Sequence, residues 1–115
     1  MGNLTDLTFL RTFTSSDPVK MSKYINMFLS GAPQILAQMK QQSETSDWKA
    51  LKTSSHSLKT QLKYMGAATV VDVAFAIEQQ CGDLKDLDQV PVLVNDLESK
   101  TNTAIAELRE ELTKI

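Results

Sequence analysis

Cysteine and histidine each occur once in these 115 residues, as Cys81 and His56. A lone cysteine cannot close an internal disulfide or build a thiolate metal cage. A lone histidine excludes every site that needs two, the HExxH metalloproteases included. Basic excess is missing as well: 12 Lys+Arg stand against 14 Asp+Glu, a net charge of -2, which argues against a bulk nucleic-acid binder. The longest uncharged stretch, residues 24–39, carries Asn26, Ser30, Gly31, Pro33, Gln34 and Gln38. It is too short and too polar for a bilayer, which needs about 20 apolar residues. The start, Met1-Gly2-Asn3-Leu4-Thr5-Asp6, has neither the basic nor the apolar region of a signal peptide. Asp6 also breaks the myristoylation pattern. There is no Gly-rich phosphate loop and no length for a nucleotide-binding domain, so the chain is not expected to use ATP itself. The expectation is a cytoplasmic domain with no membrane contact.

What is present suits long helices. Hydrophobic residues make up 42% of the chain and charged residues 23%, enough for one buried core and a single domain over residues 1–115. Four glycines and three prolines punctuate it lightly. Leu4, Leu7, Leu10 and Phe13 predict one apolar edge of a short N-terminal helix within residues 1–15. Residues 16–115 then predict an antiparallel four-helix bundle. Ser16 or Asp17 caps its first helix, with Pro18 in the first turn. Met21, Ile25, Phe28, Leu29, Ala32, Ile35, Leu36 and Met39 form the inner face. Pro33 predicts a kink or break there, or two short helices meeting at Gly31.

Ser46 or Asp47 caps the next helix, whose apolar residues are Trp48, Leu51, Leu58, Leu62 and Met65 before Gly66 stops it. Thr69, with Asp72 three residues on, predicts a cap for a helix with Val70, Val73, Ala74, Ile77 and Cys81 inside and Gly82 at its end. Residues 83–89 read as a polar loop. Pro91 opens the last helix, with Val94, Leu97, Thr101, Ala104, Ile105, Leu108 and Leu112 facing in. The fold class is all-α. Acidic residues Asp83, Asp86 and Asp88 lack the spacing of a calcium loop, and no metal site is expected.

At about 100° per residue, His56 lies roughly 140° from the middle of the Leu51, Leu58, Leu62 and Met65 stripe, so its ring points outward. Lys49, Lys52, Lys59 and Lys63 stand within about 60° of it around the axis. Four of the ten lysines of an acidic chain surround one imidazole. Nearby cations favour a neutral ring with a nucleophilic lone pair. They also favour an anion placed on that ring, such as a phosphoryl group, and steer an acidic partner toward it.

Ser55-His56-Ser57-Leu58-Lys59, followed by Met65-Gly66-Ala67, resembles the histidine-containing phosphotransfer (HPt) domains of two-component phosphorelays. Their motif runs His-x-Leu-Lys-Gly, then mostly small residues, then an apolar residue and Gly-Ala. The resemblance implies that His56 accepts a phosphoryl group from one receiver domain and passes it to another. The receivers would be those of a hybrid sensor kinase and a response regulator, with Mg²⁺ on the receiver. It further implies that Lys59 balances phosphoryl charge, that Gly66 forms the inter-helix turn, and that Glu78 orients the imidazole as in the chemotaxis-kinase branch. Thr60 replaces the motif glycine, where it narrows access or donates to a phosphoryl oxygen. The docking rim is then Lys49, Lys52, Thr60 and Lys63, with Gly31 supplying space from the preceding helix. The protein is expected to be a monomeric phosphocarrier. Two other readings fit parts of this pattern: an HPt-like adaptor that binds receivers without transfer, and the dimerising helices of a sensor kinase.

Overall fold

A computed structural model of the protein describes residues 3–115. The Met1-Gly2 start, read above for leader and acylation patterns, lies outside the described residues. Among the described residues five helices follow one another: α1 (Thr8–Phe13), α2 (Pro18–Glu44), α3 (Trp48–Tyr64), α4 (Ala68–Asp83) and α5 (Val90–Lys114), with a 3-10 turn at Leu87–Gln89 before the last. No strand occurs among the described residues. Helices α2 to α5 close a ring in which α2 packs on α3 and α5, and α4 on α3 and α5. The fold is the all-α four-helix bundle with a short extra helix at its start.

Local chemistry sets the helix boundaries. Asp17 caps α2, its Oδ1 accepting from the N–H groups of Val19 (2.9 Å) and Lys20 (3.3 Å), while Pro18 fills the first turn. The helix then runs unbroken for 27 residues, which corrects the expected break and the two-helix alternative at Gly31. Pro33 lies on the exposed side, so the Leu29 carbonyl it leaves without a helical donor costs less than it would in the core. The buried face of Met21, Ile25, Phe28, Ala32, Leu36 and Met39 continues on both sides of it. Asp47 caps α3 by accepting from the Ala50 N–H at 3.2 Å. Gly66 ends that helix at φ +66°, where the Ala67 N–H reaches back to the Leu62 carbonyl at 3.1 Å.

Three further expectations are corrected. The N-terminal helix starts at Thr8 rather than near Leu4, because the N–H groups of Leu4 and Thr5 donate to the Glu107 carboxylate of α5 (2.9 and 3.0 Å) instead of entering a helix. Leu7 and Leu10 are buried, but Phe13 is half exposed. Thr69 does not cap α4. The carbonyl of Ala67 already accepts from Val70 and Val71, so the helix begins at Ala68 with no side-chain cap. Finally, Gly82 does not end α4. The helix continues to Asp83, and Leu84 takes the left-handed conformation at φ 53°.

The core is continuous through the bundle, with Leu10, Ile25, Met39, Leu51, Leu58, Leu62, Ile77, Leu97 and Leu108 among its fully buried side chains. Cys81 is buried in it, and burial pushes its thiol up from the ordinary value. No helix is long and apolar enough to cross a membrane among the described residues.

Candidate functional site

Helices α3 and α4 are joined by only the three residues 65–67, so they run antiparallel. Their facing residues pair in register along the outer seam: Lys59 lies over Phe75, His56 meets Glu78, and Lys52 lies over Gly82. Each step down α3 matches a step up α4. The seam is where the lone histidine sits.

His56 projects outward with its side chain 61% exposed. Its backbone is nonetheless held firmly, because Leu51, Ser54, Ser55, Leu58 and Leu62 bury the opposite face of α3. Nδ1 of His56 stands 2.8 Å from Oε2 of Glu78, and Nζ of Lys59 stands 2.6 Å from Oε1. One carboxylate therefore bridges imidazole and ammonium. Burial pushes the Glu78 carboxyl up, but the hydrogen bonds from Lys59 and His56, with their charges, outweigh it and hold the group below its ordinary value. An ionised carboxylate only accepts, so Nδ1 carries the hydrogen, and in the neutral form of the ring Nε2 bears the lone pair. Among the described residues no hydrogen bond engages Nε2.

The lysines do not act as one uniform ring. Lys59 is turned inward, with a side chain only 12% exposed, its charge against Glu78 and its ammonium 5.1 Å from the Phe75 ring centroid. Lys49, Lys52 and Lys63 remain exposed. The Thr60 hydroxyl donates to the His56 carbonyl at 3.1 Å, so its hydrogen serves the helix rather than a ligand. Gly31 lies across from Gln61 on α3, at ordinary contact for a Cβ placed there. Gly66 is the turn beneath the site. A Cβ on it would run into the Asp6 carbonyl oxygen, and its positive φ disfavours any other residue.

Two features were not anticipated. Phe75 is half exposed at i−3 from Glu78, a spacing on α4 that would have revealed it had α4 been read against α3. The second is an aromatic cluster at the α1 end of the seam. Phe9 and Phe13 stack at 6.0 Å, and Tyr64 lies 5.6 Å from Phe9 and 6.2 Å from Phe13. Phe9, Phe13 and Met27 each leave half or more of their surface exposed. Beside Tyr64, Thr60 and Lys63 share a shallow concavity with Phe9. Thr60 is one turn from His56, so the apolar surface adjoins the imidazole.

The Hpt domain family model matches residues 23–115, which contain the whole of α3, α4 and α5 and most of α2. The chain belongs to the Hpt domain family. No curated protein and no solved structure matches it. Hpt domains serve histidine phosphotransfer in two-component systems as phosphocarrier modules, and they interact with receiver domains. The match begins within α2, so α1 and its two exposed phenylalanines lie outside it.

Proposed function

We propose that this Hpt domain relays a phosphoryl group between receiver aspartates through His56. The observation that carries the reading is the Glu78 carboxylate on Nδ1, which leaves Nε2 exposed and nucleophilic on a rigid helix. In the forward step Nε2 attacks the phosphorus of an aspartyl phosphate in line. The P–Nε2 bond forms, the acyl P–O bond breaks, and the carboxylate leaves with its electron pair. The Nδ1 hydrogen stays against Glu78, whose negative charge balances the positive charge that spreads over the phosphorylated ring. The return step reverses these bonds at a second receiver. Lys59 fixes Glu78 and compensates its charge, acting through that carboxylate as a positioning residue.

Phosphoryl transfer depends mainly on positioning and charge. The Mg²⁺ and the acidic pocket belong in this reading to the receiver. Docking uses His56, the exposed Lys49, Lys52 and Lys63, and the apolar surface near Gly31 and Thr60, which Phe9, Phe13 and Tyr64 extend. Residues 1–115 act as one monomeric unit in the cytoplasm. The test is transfer of label from a phosphorylated receiver domain to the wild type and to His56→Gln. Label on the wild type alone supports the carrier, whereas binding without label supports the adaptor.

A further inference from the structure

Gly82 occupies an unexpected place. It sits in the last turn of α4 with no positive φ, while the left-handed position two residues on is filled by Leu84. No backbone conformation calls for glycine here, and alanine would favour the helix. What the missing Cβ leaves room for is a side chain from α3. A Cβ at Gly82 would stand 3.3 Å from Cε, 3.4 Å from Nζ and 3.5 Å from Cδ of Lys52. The aliphatic stem of Lys52 thus lies across a flat spot on α4, one helical turn from His56.

The other donors around the imidazole are already engaged. Lys59 is committed to Glu78 and largely covered, and the Thr60 hydroxyl donates to a backbone carbonyl. No carboxylate pairs with Lys52 among the described residues. Helix side chains lean toward the N-terminal end of their helix, so the turn that the imidazole overlies is the one bearing Lys52. Lys49 and Lys63 are each about 10 Å along the axis.

Building on the carrier reading, we infer that Lys52, seated on Gly82, is the ammonium that meets the phosphoryl oxygens on His56, with Glu78 and Lys59 facing the ring from its other side. A phosphoryl group presents three strong acceptor oxygens, and a lysine with no carboxylate partner supplies charge-assisted donors to them. Gly82 keeps that ammonium close to the seam without making contact with the phosphoryl group itself.

The test phosphorylates the full chain with phosphoramidate, a small donor that needs no partner, and follows the second ionisation of the phosphohistidine by ³¹P NMR. Lys52→Gln is expected to raise the midpoint of that titration. It is also expected to shorten the lifetime of the phosphohistidine about tenfold, the scale of one charge-assisted hydrogen bond. Lys52→Arg restores both. Gly82→Leu, with a good helix former in place of glycine, moves the titration in the same direction while Lys52 is intact. A Lys52→Gln protein that takes label and titrates like the wild type overturns the assignment, whatever Lys59→Gln does. A wild type that takes no label overturns the carrier reading, and this assignment with it.

Discussion

Lys59 and Glu78 meet at 2.6 Å across the α3–α4 seam, with side chains only 12% and 16% exposed. The pair converts a lysine that lies on the histidine face into part of the support for the ring. Its geometry also sets what Glu78 can do, because a carboxylate pinned on one oxygen presents the other in a fixed direction to His56 Nδ1.

Glu78→Gln is therefore expected to slow phosphoryl transfer by roughly 10–100-fold while the bundle stays folded. A long-range ¹H–¹⁵N spectrum of the imidazole separates positioning from damage. The wild type shows hydrogen on Nδ1, and the variant shows a mixture of tautomers. An unchanged tautomer with an unchanged rate removes Glu78 from the mechanism.

Acid should loosen the N-terminal segment. Burial pushes the Glu107 carboxyl up, but the hydrogen bonds from the Leu4 and Thr5 N–H groups and the Thr5 hydroxyl outweigh it and hold the group below its ordinary 4.5. A depressed carboxyl contributes stability that is fully present above the unfolded value and is lost as pH falls through the lower folded value. Protection of the Leu4 and Thr5 amides, measured as exchange relative to the intrinsic rate at each pH, should fall below about pH 4.5. Glu107→Ala should remove that protection at neutral pH and cost about 1–2 kcal/mol.

Gly66→Ala should be the most damaging single-methyl change. It combines a residue at φ +66° with a collision against the Asp6 backbone, which no side-chain rotation relieves. We expect a loss of about 2–4 kcal/mol, read as a fall in Tm, together with loss of the Asp6 N–H bond to the Met65 carbonyl (3.0 Å). A Tm within a degree or two of the wild type would contradict the turn geometry.

The aromatic cluster should matter to a partner more than to the fold. Phe13 is half exposed and touches Tyr24 and Tyr64 edge-on or tilted. Phe13→Ser is predicted to weaken receiver binding about 5–10-fold, measured by calorimetry, with a stability change under about 1 kcal/mol. Equal affinity for the two proteins would remove this surface from docking.

Much of this was legible in the sequence, and the illegible parts share a cause. The 3.6-residue period located the buried faces of α2 to α5 and turned His56 outward, because those depend on one helix at a time. Gly66 was legible since its turn residues are adjacent in the chain. The inward turn of Lys59 was not. It depends on Glu78, 19 residues away on another helix, which the family resemblance offered only as an orienter of the imidazole. Glycine near a helix end most often marks a stop, whereas what lies against Gly82 is the Lys52 side chain from α3, 30 residues earlier in the chain. Pro33 misled because tertiary packing along one face carries the helix past a local penalty.

The most direct test of the account places phosphoryl group and atom together. The wild type and His56→Gln are exposed to a receiver domain carrying ³²P-labelled aspartyl phosphate, and the nitrogen modified in the wild type is assigned by ¹⁵N NMR. The account predicts acid-labile, base-stable label on the wild type alone, carried on Nε2. Label that survives in His56→Gln, or that resides on Nδ1, would contradict it.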